Sequence, residues 1–259
     1  MVGPLIGTGL YAVSGYEGIF FGFACIFALT GVIVYYAIGP DRSYALTSES
    51  QSLVDLLLKP VLVIALFPLI FGLIAGAAAG VFMAPHLQDF GLSTLTIGLI
   101  FGLQGGCFLV SSLLTSQLLS KANKKLVNGV GCVLATVAIC LMGPWPALLP
   151  RPLVLIIVGF MLASVALALL FVEALPSVIE VSAVDLGLLL DDKLMDKFAG
   201  LLSMAVFIGE IAGPGAAGGL IPLLGVPKTC AIISACGCVV LLAYILINAC
   251  HRKAGGIAQ

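Results

Sequence analysis

Residues 152–172 read PLVLIIVGFMLASVALALLFV, twenty-one consecutive positions without Asp, Glu, Lys or Arg. A helix rising ~1.5 Å per residue needs about 20 such residues to cross a hydrocarbon core ~30 Å thick. Comparable gaps cover 18–40, 60–88, 90–120, 126–150 and 229–251, and residues 198–227 hold a single charge, Glu210. Barrel strands instead alternate over about ten residues, so the runs predict helices. Over all 259 residues, 61 % are hydrophobic and 9 % charged, with a mean hydropathy of +1.25. A water-soluble domain carries about 25 % charged residues. Composition therefore excludes a soluble fold and a disordered chain. With 11 basic against 12 acidic residues, no basic surface is left for nucleic acid. The expected class is an all-α polytopic membrane protein whose constant partner is the lipid bilayer.

Seven spans are predicted, near 18–38, 60–83, 94–119, 126–144, 153–175, 198–222 and 228–250. Residues 1–14 are apolar but too short to span, and they lack the charged start and cleavage pattern of a signal peptide. Residues 84–93 read as a turn, with Ser93 placed to cap the next helix. Residues 143–152 hold four prolines and Trp145, an interfacial anchor. Residues 176–197 read as an acidic connector with a short surface helix around Asp185 to Lys197. Asp191, Asp192 and Asp196 lack the alternating ligands and turn glycine of a calcium loop. The eight cysteines fall in or at the ends of apolar runs, where they act as small hydrophobes. No metal site and no cofactor are expected.

Side one is the side holding the 39–59 loop. It also receives Lys121–Lys125, the 176–197 connector and the tail, and so nine of the eleven Lys and Arg residues. Arg151 and Lys228 alone fall on side two. Short loops rich in Lys and Arg stay inside, which predicts a cytoplasmic side one and C-terminus.

One internal repeat stands out. Gly3-Pro4-Leu5-Ile6-Gly7-Thr8-Gly9-Leu10 matches Gly213-Pro214-Gly215-Ala216-Ala217-Gly218-Gly219-Leu220 at Gly, Pro, Gly and Leu, with an offset of 210. Proline kinks a helix and glycine lets a neighbour approach closely. Five complete spans separate the copies, the period of two parallel repeats related by an axis along the membrane normal. On these residues the chain resembles the major facilitator superfamily, whose fifth helix carries a Gly-Pro antiporter motif. Within it the closest likeness is to the vesicular amine and polyamine branch of proton-coupled antiporters. That likeness rests on Gly3–Gly7, Gly15-Tyr16, Pro85-His86-Leu87 before Gly91-Leu92-Ser93, and Ala174-Leu175-Pro176. Ser116 to Lys125 keeps the basic residues of the family's signature loop without its Gly and Asp.

The resemblance implies the following layout. Residues 1–38 are a remnant of helix 5 and a complete helix 6; 39–59 are the central cytoplasmic loop; 60–250 form a C-terminal six-helix bundle; 251–259 are a cytoplasmic tail. The N-terminal bundle, which a complete transport site needs, is then missing. The implied function is alternating-access antiport of an organic cation, amine or polyamine, against protons, in a vesicle, lysosomal or plasma membrane. The alternative is a truncated, non-transporting product or isoform. A seven-helix receptor is disfavoured by the Gly-Pro repeat and by the lack of an aromatic or basic switch at a helix end. No nucleophile–base pair, phosphate loop or zinc motif suggests an enzyme.

Two carboxylates fall within spans. Glu210 lies mid-span, where an ionised group costs roughly 2.5–3.5 kcal/mol on insertion scales. It reads as a proton carrier facing a partner or wet cavity, or else as a neutral glutamate bonded to a neighbouring helix. Glu173, three residues before Pro176, reads as a second acid on the path or as a helix-end group reaching water. Gln104, among Gly102, Gly105 and Gly106, is a candidate cavity-lining group or a packing contact. His86 has the ordinary titration range of a pH sensor on side two, but as part of a loop it reads first as exposed.

Overall fold

The computed structural model describes residues 3–37, 53–119, 122–143, 153–187 and 191–255. Among these residues the chain is helical, without strands. In chain order the helices are α1 (Gly3–Ala37), α2 (Leu53–Leu57), α3 (Pro60–Gln88), α4 (Thr94–Leu118), α5 (Lys124–Met142), α6 (Leu153–Glu180), α7 (Asp192–Leu224) and α8 (Val226–Gly255). A π-helical turn, Val181–Asp185, extends α6. All but α2 contain a stretch long and apolar enough to cross a membrane. Lipid offers backbone groups no hydrogen-bond partner, so a spanning segment bonds to itself along a helix. The expected Trp145 anchor, most of the 39–59 loop, Arg42, Lys121 and Arg151 lie outside the described residues.

The predicted spans hold, and several ends move. Ser93 caps α4, its Oγ accepting from Thr96 N–H at 3.3 Å. Asn123 and Asp191 cap α5 and α7 in the same way. The 84–93 turn shrinks, because α3 runs through Pro85 to Gln88. Likewise α6 runs through Pro176, and Asp192–Lys197 forms the first turns of α7 instead of a separate surface helix. Proline stops an isolated helix by losing one hydrogen bond and crowding the preceding turn. Inside a bundle, neighbouring helices and local π adjustment absorb that cost. The tail begins as helix, with α8 continuing to Gly255. In the 39–59 segment, Leu56 of α2 is fully buried.

α3 is the hub, packing against α4, α5, α6, α7 and α8, while among the described residues α1 packs chiefly on α4. Glycines set the close contacts. Leu170 of α6 wedges between Gly72 of α3 and Gly131 of α5, where an added Cβ would meet its side chain at 2.5 and 2.7 Å. At Gly213 of α7 a Cβ would lie 2.7 Å from the Ile74 carbonyl oxygen of α3. Gly209, one turn earlier, faces Leu73, giving a small-xxx-small seam.

The α5–α8 seam has a legible register. Ser234 Oγ donates to the Thr136 carbonyl at 3.4 Å, and Tyr244 Oη donates to the Lys125 carbonyl at 3.1 Å. Between antiparallel helices, one turn back along α5 corresponds to one turn forward along α8. Cys140 therefore faces Cys230, and Cys132 faces Cys238. With the remaining cysteines replaced by serine or alanine, the Cys140/Cys230 and Cys132/Cys238 pairs should each cross-link with a short thiol-specific reagent. The mismatched Cys132/Cys230 pair, two turns out of register, should not. Equal yields from all three pairs would refute this register.

Candidate functional site

The Gly-Pro repeat extends to a further pair of glycines that share a backbone conformation. Gly15 interrupts α1 with φ 70° and ψ −168°. Gly225 ends α7 with φ 77° and ψ 165°. These two glycines are separated by the same offset of 210 that relates the two sequence copies. An L-residue is strained at such a φ, so glycine is the residue that fits both. In each copy a Gly-Pro helix runs to a one-residue reversal and the chain returns antiparallel. At Gly15 the return is tight: a Cβ on Gly22 would meet Leu10 at 2.7 Å, and one on Gly7 would meet Phe23 at 3.9 Å. The side chain of Pro4 and the surroundings of Gly3 lie outside the described set.

Within the second copy the glycines divide by role. Gly213 is buried against α3 and admits no side chain, whereas Gly218 and Gly219 are exposed and open, with nothing within 4 Å of an added Cβ. Pro214 is half-buried between them.

Glu210 follows Gly209 on α7, and the seam through Phe198, Leu201, Ala205, Gly209, Gly213 and Ala217 turns it away from the core. It is exposed, sharing a face with Ser203 and Phe207. Among the described residues no neighbouring helix covers it. Gln104 is half-buried on α4. α4 packs on α6 and α1, and α7 chiefly on α3, so Glu210 and Gln104 belong to different packed pairs.

Glu173 neither reaches water nor borders an open cavity. Its side chain is 3 % exposed, and its Oε2 lies 3.0 Å from Nζ of Lys124, itself 15 % exposed. Lys124 Nζ also donates to the Leu119 carbonyl at 3.2 Å, tying the end of α4 to the start of α5 and to α6. A buried carboxylate with one charge partner is held at high stakes, since loss of that partner strands the charge. His86 is not a loop residue: it lies in the last turn of α3, 9 % exposed, edge-on to Phe90 with ring centroids 5.6 Å apart.

Sequence reading missed this polar cluster at side one. Lys124 and Asn128 stand one turn apart on α5, and Glu173 and Ser177 one turn apart on α6. Asn128 is 2 % and Ser177 1 % exposed. Two polar pairs at helical spacing, each at the end of an apolar span meeting the same side, were the available signal.

The sequence profile of the Major Facilitator Superfamily matches residues 1–183. No curated protein matches the chain.

Two stability predictions follow from the cluster and the repeat. Lys124→Met should lower thermal stability in detergent by about 3–5 kcal/mol, and more than Glu173→Gln, because it strands the more deeply buried charge. The double variant should recover part of that loss; strictly additive losses would rule out a coupled pair. Gly213→Ala should cost about 1–3 kcal/mol by overpacking, while Gly218→Ala leaves the unfolding midpoint unchanged or slightly raised.

Proposed function

Because the chain belongs to the Major Facilitator Superfamily, we propose that this integral multi-pass membrane transporter exchanges protons for an organic cation, in the manner of the vesicular amine and polyamine branch. Glu210 carries the reading. It is an acidic residue in the middle of a span, on a face of α7 turned away from α3. A carboxylate retained there serves an ion or substrate pathway. Ionised, it attracts an ammonium group; protonated, it releases it. That competition couples the two fluxes.

Alternating access supplies the rest. A site near the bilayer midplane opens to one side at a time as two helix bundles rock about it. The bundle of α3–α8 provides one wall, with Glu210 on it and the open glycines Gly218 and Gly219 a few turns toward side two. The opposite wall comes from an N-terminal bundle to which α1 belongs. Gln104 is a candidate cavity-lining group on α4. Glu173 has a different part: paired with Lys124, it braces side one and stays out of the exchange. The nine-to-two distribution of Lys and Arg supports a cytoplasmic side one and C-terminus, in a vesicle, lysosomal or plasma membrane. In a chain without the opposite wall, the same bundle folds but transports nothing.

The test is uptake of labelled monoamines and polyamines into proteoliposomes with an acidic interior. A pH gradient should drive accumulation, and Glu210→Gln should abolish the gradient's effect while leaving the protein folded. Gradient-driven uptake that survives Glu210→Gln unchanged would exclude Glu210 as the coupling group. No uptake of any amine by the wild-type chain would favour the non-transporting reading.

A further inference from the structure

A small cavity of about 10 Å³ opens at side one where α3, α5, α6 and α8 converge. Val61 and Val181 form part of its apolar wall, and Lys125, Ser177, Tyr244 and Asn248 bring polar groups to it. The Ser177 hydroxyl is fully buried and has no hydrogen-bond partner among the described residues. Thr229 Oγ1 is buried without a partner too, but among the buried serines Ser177 is the exception. Ser112, Ser164, Ser182 and Ser203 each donate to the carbonyl four residues earlier on their own helix. Ser177 does not take that local partner.

A buried hydroxyl left without a partner is costly, so its counterpart belongs in the cavity. Of the other polar groups, Asn248 has capacity to spare. Tyr244 Oη donates to the Lys125 carbonyl and takes hydrogen bonds from the side chains of Asn128 and Asn248, so it holds the cavity's polar wall in place. Asn248 Nδ2 donates to the Tyr244 carbonyl at 2.8 Å, which leaves Asn248 Oδ1 free to accept. A hydroxyl that gives and takes, facing an acceptor on a second helix, fits a small molecule that both donates and accepts. A buried water needs ~10–15 Å³ and typically about three partners.

We propose that this cavity is a binding site for one ordered water molecule, which joins Ser177 of α6 to Asn248 of α8 beside the Tyr244 ring. α6 and α8 form no packed pair among the described residues, so the water makes the polar link that side chains do not. Together with the Lys124–Glu173 pair one turn deeper on α6, it ties α5, α6 and α8 into one body at side one. An alkali cation is the competing occupant; it would use only the oxygens and would leave no role for a donor.

X-ray hydroxyl-radical labelling read by mass spectrometry tests the site, because radicals form from internal water beside the residues that hold it. Tyr244, only 4 % exposed, should be labelled well above the equally buried Phe82 (3 %) and Phe198 (0 %). Ser177→Val, which fills the cavity and removes the hydroxyl, should lower Tyr244 labelling several-fold and leave exposed Tyr16 unchanged. Tyr244 as inert as Phe198, or labelled equally in both proteins, would overturn the proposal. Should Ser177→Val not fold, a high-resolution map of the wild-type protein decides it. Density within hydrogen-bonding distance of Ser177 Oγ and one acceptor on α8 supports water. An empty cavity, or short contacts to oxygens alone, refutes it.

Discussion

Helices in lipid gain nothing from hiding apolar surface from one another, because the tails around them are as apolar as leucine. What holds such helices together is close contact, and here close contact depends on missing side chains. Leu170 fits between α3 and α5 because Gly72 and Gly131 leave room on both sides. α7 lies against α3 because Gly209 and Gly213 let its backbone reach Ile74 and Leu73. Dispersion gained over many atoms at optimal separation replaces the hydrophobic drive of a soluble core. The placement of Glu210 follows from the same contacts, since the glycine seam that buries one side of α7 turns the next residue outward.

The two ends of the bundle are held differently. Side one is knit by polar groups: the Lys124–Glu173 pair, the Lys124 contact to Leu119, and the Tyr244 and Asn248 hydrogen bonds. Side two is held by steric fit. Gly143 sits against Cys230, and Gly159 lies under the α5 backbone at Ala138 and Met142. Polar contacts have discrete partners and specify one arrangement, whereas small-residue seams tolerate sliding.

Much of this was readable from the letters. Charge-free runs mark each span, because a charge in hydrocarbon is costly wherever it lies in the chain. Ser93 was legible as a cap, since capping uses only groups within four residues. The repeat at Gly3 and Gly213 was visible, and so was the glycine shared by positions 15 and 225; that both take positive φ is a torsion angle, which the letter permits without stating. The helix ends at Pro85 and Pro176 were misread because proline's cost depends on what surrounds it. Lys124 passed as one of several turn lysines, and Glu173 as a helix-end acid. Their pairing joins positions 49 residues apart, a distance that no local pattern spans. The exposure of Glu210 depends on which side of α7 faces α3, which the glycines imply only once their partner helix is known.

The single residue between α7 and α8 also bears on how the protein is made. With only Gly225 linking them, the ribosome delivers the two helices to the membrane without an intervening loop, and the second follows before the first can settle alone. α7 is the least apolar of the seven spans and carries Glu210, which makes it the poorest candidate for independent partitioning. α8 is among the more apolar. Delivered as a hairpin, the pair can enter lipid on their summed hydrophobicity, so the tight reversal lets α8 escort a charge that α7 would struggle to carry across by itself.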